Sequence, residues 1–170
     1  MTFHTRTENL LEQCAVLAKN SKCSRRKFGA IITSFDGVIL STGWNGSVRG
    51  SLNCGEDVGC IKDFFNVPSY QGYEMCPAVH AEENAIINAA REGIKVKGGI
   101  MYLNASEKGV AGMSCPRCRR AIINAGIEII FYKNKMGDTL SARLSSMTKE
   151  EDLWMREQED VGMNQKDGLQ

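Results

Sequence analysis

The stretch CPAVHAEENAI, residues 76–86, holds one of only two histidines in the chain, His80, and a carboxylate two positions later, Glu82. Further along, SCPRC presents a pair of thiols, Cys115 and Cys118. At i and i+3 in the first turn of a helix these thiols lie on one face, where the positive helix end favours thiolates. Pro116 suits that turn, since its missing N–H costs nothing there. One histidine and two thiolates fill three of zinc's four tetrahedral positions and leave one open, the mark of a catalytic rather than a structural site. An open position on zinc brings the pKa of water close to neutrality, and a carboxylate beside it can take a proton from that water and deliver it elsewhere. Alone, His80 reads as a helix cap and a Cys-x-x-Cys pair as structural metal or redox chemistry. Their joint presence with Glu82 is what points to catalysis.

These residues need elements to bring them together. Leu10, Cys14, Leu17 and Ala18 repeat on one face of a helix expected over residues 5–20. FGAIIT and VILSTGW are β-branched, apolar runs joined by SFDG, whose Asp36-Gly37 pair supplies the positive backbone angle of a tight hairpin. Residues 45–77 read mostly as loop. A helix is expected over 79–92, stopping at Gly93; a strand at GIMYLN; a helix over 116–125, stopping at Gly126; and a strand at IEIIFYK. The pattern predicts a three-layer α/β/α domain with a mixed sheet opened by a β-hairpin and parallel later strands. Both ligand-bearing segments then begin helices on the same face of the sheet. No further strand is evident after Lys133, and the tail is expected to cover that edge as a helix. The domain is placed at residues 1–147 and the tail at 148–170, with a short helix in TKEEDLWMREQED capped by Thr148 and a disordered end NQKDGLQ.

Composition narrows the function classes. With 170 residues, 42% of them hydrophobic, the chain suits one core. Twenty-one Lys and Arg against 20 Asp and Glu leave a net charge of +1, so no whole-molecule attraction to nucleic acid or anionic membrane is expected. No apolar run reaches the roughly 18 residues of a membrane span, and MTFHTRTENLLEQ lacks the order of a signal peptide. A cytoplasmic protein is the expectation. Seven cysteines, an odd number, point in a reducing compartment to metal ligands or buried thiols.

His-x-Glu with a later Cys-x-x-Cys is the arrangement of zinc nucleobase deaminases, where the glutamate moves protons and is not a ligand. HAEENAI with SCPRCRRAIINAGIEIIFY resembles the cytidine and deoxycytidylate deaminase superfamily. KFGAIITSFDGVILSTGWNGSVRG is similar to its deoxycytidylate branch, and the match spans about residues 5–133. The resemblance implies hydrolytic deamination of dCMP to dUMP, with Asn45 of the G-W-N-G loop on the substrate sugar. It also implies a homohexamer regulated by dCTP with Mg2+ and by dTTP, the effectors binding near Gly46 and Arg49. Alternatives within the same chemistry are a tRNA or single-strand base editor and a deaminase acting on dCTP, cytidine or a modified cytosine nucleotide. Near-zero net charge without a basic, aromatic-rich tail disfavours a polynucleotide, which needs a phosphate-tracking surface.

Further candidates surround this site. The backbone N–H of Ala81 is placed to hold a carbonyl oxygen of the base, and Ser114, standing where the family has proline, offers its carbonyl to the leaving amine. Arg26 and Lys27 precede the first strand; because the hairpin pairs antiparallel, they lie near Asn45 and are candidates for a 5′-phosphate site. Arg49 and Arg119 are weaker candidates of that kind. Val48 replaces a family proline, and SEKGVAGM lengthens the connection to Cys115. The remaining thiols Cys23, Cys54, Cys60 and Cys76 are candidates for a second, structural zinc that would fix the loop, as the resemblance to viral members with cysteines in the SKC and NC positions implies. Cys14 is left as a core residue.

Overall fold

A computed structural model of the chain describes residues 3–69 and 71–152. The elements are α1 (Phe3–Ala18), β1 (Phe28–Thr33), β2 (Ile39–Trp44), β3 (Gly46–Ser47), α2 (Ile61–Phe64), β4 (Ala78–Val79), α3 (Ala81–Arg91), β5 (Ile100–Ala105), α4 (Pro116–Asn124), β6 (Ile129–Lys133) and β7 (Thr139–Arg143), followed by helix from residue 144 to 152. Five strands form one sheet in the order β2-β1-β5-β6-β7, and β3 pairs with β4 apart from it. β1 runs antiparallel to both β2 and β5, β5 and β6 are parallel, and β6 and β7 are antiparallel. Among the described residues no helix is long and apolar enough to cross a membrane.

Strand alternation sorts the core into two layers. Ala30 and Ile32 of β1, Met101 and Leu103 of β5 and Ile130 of β6 face α3 and α4, where Ala81, Ala85 and Ile122 complete the cluster. Ile31, Ile100 and Tyr102 face the other way and pack on Leu10, Leu11 and Cys14 of α1. Central strands buried on both faces must be apolar throughout, which is why β1 and β5 read as continuous apolar runs. The mixed α/β/α sheet opened by a hairpin is therefore as the sequence predicts. Gly37, at φ 94°, makes the hairpin turn, with its N–H bonded to the Ser34 carbonyl at 3.0 Å.

Two expectations are corrected. A fifth strand does follow Lys133: β7 pairs with β6 from Ile129↔Arg143 to Lys133↔Thr139. It is polar, TLSAR, and half exposed, so it lacks the apolar run that marks a central strand. The turn before it is built by Asn134, whose Oδ1 accepts from the N–H groups of Met136 and Asp138, and by Gly137 at φ 91°. The final helix does not start at Thr148. It is helical from residue 144, and the Thr148 hydroxyl bonds back to the Leu144 carbonyl at 3.0 Å, an interior arrangement rather than a cap. Met147 enters the core, while Arg119–Glu150 and Arg120–Glu151 ion pairs tie this helix to α4. Residues 153–170, with the disordered end expected there, lie outside the described residues. Within 45–77 the chain is loop apart from β3 and the short α2.

Candidate active site

His80 is the N-cap residue of α3 and Cys115 that of α4, so both helices aim their positive ends at one point. What sets α3 on the sheet is Gly43 of β2. A Cβ there would lie 2.4 Å from the Ala85 nitrogen and 2.5 Å from the Ala81 oxygen, so only glycine lets the helix approach this closely. Three side-chain bonds fasten the contact: Ser41 Oγ donates to the Ala85 carbonyl at 2.7 Å, Asn84 Nδ2 to the Trp44 carbonyl at 2.8 Å, and Asn88 Nδ2 to the Thr42 carbonyl at 2.8 Å. The last two also satisfy carbonyls of the edge strand.

Among the described residues, His80, Cys115 and Cys118 form the group of three metal-ligating side chains whose donor atoms all lie within 4.8 Å of one another. His80 Nδ1 is 3.5 Å from Cys115 Sγ and 3.3 Å from Cys118 Sγ. Zn–S and Zn–N bonds meeting at the tetrahedral angle would place N and S about 3.6 Å apart, so the donor set fits zinc as it stands. With only protons in place, the Cys115 thiol is pulled down to about 4, first by the hydrogen bond from Cys118, with burial opposing. The same contact, with burial, pushes Cys118 up, so without a metal the pair shares one negative charge.

Glu82 sits beside this triad and is 5% exposed. Burial raises its carboxyl above the usual range, and the nearby His80 opposes the shift. The buried Ser114 hydroxyl has no hydrogen-bond partner of ordinary geometry, although it lies close enough to Glu82 to favour the ionised form.

A cavity of about 160 Å³ opens over these groups; His80, Ala81, Glu82 and Cys115 line it together with Arg25, Arg26, Asn45 and Lys62. The antiparallel hairpin thus brings Arg26 and Asn45 to one pocket. The Asn45 amide is 8% exposed; its Oδ1 accepts from the Phe28 N–H at 2.7 Å and its Nδ2 donates to the Arg26 carbonyl at 2.9 Å. It clamps the start of β1 as well as lining the cavity. Lys27 does not line it, and the Lys27 carbonyl accepts from the Ser106 N–H. Gly46 lies at the cavity, whereas Arg49 is exposed and donates to Asn88 Oδ1 on α3. Arg119 is engaged with Glu150 and Trp44 is exposed.

Sequence reasoning missed Lys62 and Tyr73. Lys62 is 7% exposed, lines the cavity and lies 5.2 Å over the Tyr73 ring; Tyr73 in turn meets the His80 ring edge-on at 5.4 Å. Both fall in a segment without periodicity, where no local pattern marks an inward-facing residue. Arg25 is held by Asp63 and the Val67 carbonyl, which anchors α2 to the cavity wall. Cys23, Cys54, Cys60 and Cys76 all line the same cavity, but their sulfurs do not meet within the 4.8 Å that groups the first three ligands. The segments carrying Cys23 and Cys54 do touch: Lys22 pairs with Glu56 at 2.6 Å.

An α/β/α sheet with a His-Cys-Cys triad and a buried glutamate at two convergent helix ends defines a hydrolytic enzyme of the zinc-site class. The family model described as "Cytidine and deoxycytidylate deaminase zinc-binding region" matches residues 4–134, and the chain belongs to that family. It is 30% identical over 166 residues to the deoxycytidylate deaminase of Enterobacteria phage T2, covering 78% of this chain and 84% of that one. It is 34% identical over 124 residues to the Homo sapiens deoxycytidylate deaminase, covering 72% of this chain and 61% of the human one. Among solved structures it is similar to the dCMP deaminase of cyanophage S-TIM5 in apo form, with a TM-score of 0.57, 26% identity and coverage of 79% of this chain and 86% of that one.

Proposed function

We propose that this protein catalyses the hydrolytic deamination of dCMP to dUMP, supplying dUMP for thymidylate synthesis. The observation that carries the reading is the convergence of His80, Cys115 and Cys118 beside buried Glu82 on a cavity that Arg25, Arg26 and Lys62 also line. Zinc held by the triad supplies Lewis acidity that makes water nucleophilic at neutral pH. Glu82 takes a proton from the attacking water and delivers it to the ring nitrogen; it then takes the second proton, from the hydroxyl left on the ring carbon, and delivers it to the departing amine. The Ala81 N–H, in the first turn of α3, holds the carbonyl oxygen of the base, and the Ser114 carbonyl receives the leaving ammonia. Asn45 meets the sugar with the amide hydrogen left over from its clamp. Arg26 and Lys62, both lining the cavity, hold the 5′-phosphate, with Lys27 adding positive charge next in sequence. Lys62 supports this assignment because among the described residues it has no carboxylate within 4.0 Å.

The reading extends to the domain at residues 1–147 with the tail at 148–170, to a cytoplasmic homohexamer, to a second, structural zinc on Cys23, Cys54, Cys60 and Cys76, and to regulation by dCTP with Mg2+ and by dTTP near Gly46 and Arg49. The four thiols line one cavity, and binding the second ion requires their sulfurs to draw together from the separations described above. Incubation with dCMP, deoxycytidine, dCTP and a cytosine-containing oligonucleotide, followed by ultraviolet absorbance, tests the substrate. dCMP is expected to turn over fastest. Glu82→Ala is expected to keep its zinc and lose turnover by at least about 10²-fold, and an active Glu82→Ala enzyme overturns the assigned proton carrier.

A further inference from the structure

A cation in the first turn of a helix opposes the macrodipole, yet Arg117 occupies the second position of α4, between the two cysteine ligands. Helix stability does not explain it. Its partner does: Arg117 Nε and Nη2 donate to the two oxygens of Glu83, at 2.9 Å for Nε. Glu83 is the third residue of α3, and the carboxylate oxygen that Nη2 reaches also accepts from the His80 backbone N–H at 3.3 Å. One carboxylate thus connects the N-cap of the helix that carries His80 to the turn that carries Cys115 and Cys118. The Glu83 side chain is 16% exposed and that of Arg117 46%, so the carboxylate end of the bidentate pair is the end shielded from solvent.

We propose that Glu83 and Arg117 are a positioning pair for the zinc site, a fork that sets the separation of the α3 and α4 N-termini so that the imidazole and the two thiolates meet at ligating distance. Neither residue touches the ion. Two positive helix ends and two cysteine ligands face one another here, and apart from the ligands themselves and the approach of Ser114 to Glu82, the fork is the polar contact that joins the two ligand-bearing turns among those described. Supporting groups of this kind govern metal affinity by about 10- to 100-fold.

The inference rests on the zinc reading of the triad, and the experiment separates the two. The full chain is stripped of metal and titrated with Zn2+ against a chromophoric chelator, then with Co2+ to follow the thiolate-to-cobalt absorption. A parent chain that binds neither ion overturns the zinc reading itself. Given a binding parent, Glu83→Gln keeps an acceptor for the His80 N–H but ends the ion pair, and Arg117→Met ends it from the other side. Each is expected to weaken Zn2+ binding by about 10-fold or more and to alter the cobalt spectrum. The double variant is expected to be no weaker than the weaker single, because both remove one interaction. Arg117→Lys, which keeps the charge and loses the fork, is expected between parent and Arg117→Met, and it carries the test should Arg117→Met fail to fold. Folded variants whose Zn2+ affinity stays within twofold of the parent, or single losses that multiply in the double, overturn the proposal. So does an equal fall in melting temperature of the metal-free and zinc-loaded forms with affinity unchanged, which a merely structural pair would give.

Discussion

Gly43→Ala is a severe small change to the framework that seats α3. The added methyl would meet the Ala85 nitrogen at 2.4 Å, the Ala81 oxygen at 2.5 Å and the Asn84 carbonyl carbon at 2.9 Å, all of them helix backbone that has no rotamer to escape through. Relief to an ordinary contact of 3.4 Å requires α3 to withdraw from β2 by about 1 Å, the difference between that contact and the first of these distances. Overpacking of this kind costs about 1–3 kcal/mol. Withdrawal also stretches the bonds from Ser41, Asn84 and Asn88, each worth about 1 kcal/mol. A loss of about 3 kcal/mol in unfolding free energy is expected by urea denaturation. His80 caps the displaced helix, while Cys115 and Cys118 sit on α4, and zinc sites tolerate ligand shifts of only about 0.2 Å. Zinc content and turnover should therefore fall together, the latter by at least about 10²-fold in whatever fraction remains loaded. An alanine variant within about 0.5 kcal/mol of the parent and fully active would refute the close-approach reasoning.

Arg26→Ala should lower kcat/KM on dCMP by about 10- to 100-fold while sparing deoxycytidine, as loss of a charge-assisted phosphate contact requires; an unchanged ratio between the two substrates counts against the phosphate site. Cys54→Ser should lower zinc content from two ions per chain to one and destabilise the 54–76 loop, and elemental analysis giving one zinc in the fully loaded parent removes the second site. Glu8 accepts from Lys133 and Thr139, joining α1 to the β6–β7 hairpin. Burial opposes the shift, but these partners hold its carboxyl below the ordinary 4.5. A carboxyl lowered on folding adds stability that is full above that ordinary value and is lost as pH falls through the lower folded one. Glu8→Gln should therefore cost about 1 kcal/mol at pH 7 and flatten the acid limb below about pH 4.5; a parallel pH profile in the variant would count against the pair.

The chemistry was legible in the chain because it is local and residue-specific. Thiolate and imidazole donors are few, a zinc triad admits little else, and helix N-caps follow from Pro116 and from the short apolar periodicity after His80. The hairpin and the central strands were legible for a similar reason: burial on both faces demands unbroken apolar runs, and Asp36-Gly37 states its own turn. β7 was not, since an edge strand needs no apolar run and TLSAR has no fully buried position; the Asn134 and Gly137 turn was the available signal.

What only tertiary structure decided depends on pairing across elements distant in sequence. That Asn45 clamps the Phe28 N–H and the Arg26 carbonyl could not be read from a G-W-N-G loop, because the bonds form across the hairpin. Lys62 and Tyr73 became cavity residues through the fold of an aperiodic segment. Glu83 and Arg117 look like ordinary surface charges until two helix ends are placed side by side. Residue type determines which ligand chemistry a chain can offer, since that is a property of single side chains. Which charges stand opposite one another is a property of packing, and becomes definite only when Gly43 lets α3 settle on the sheet.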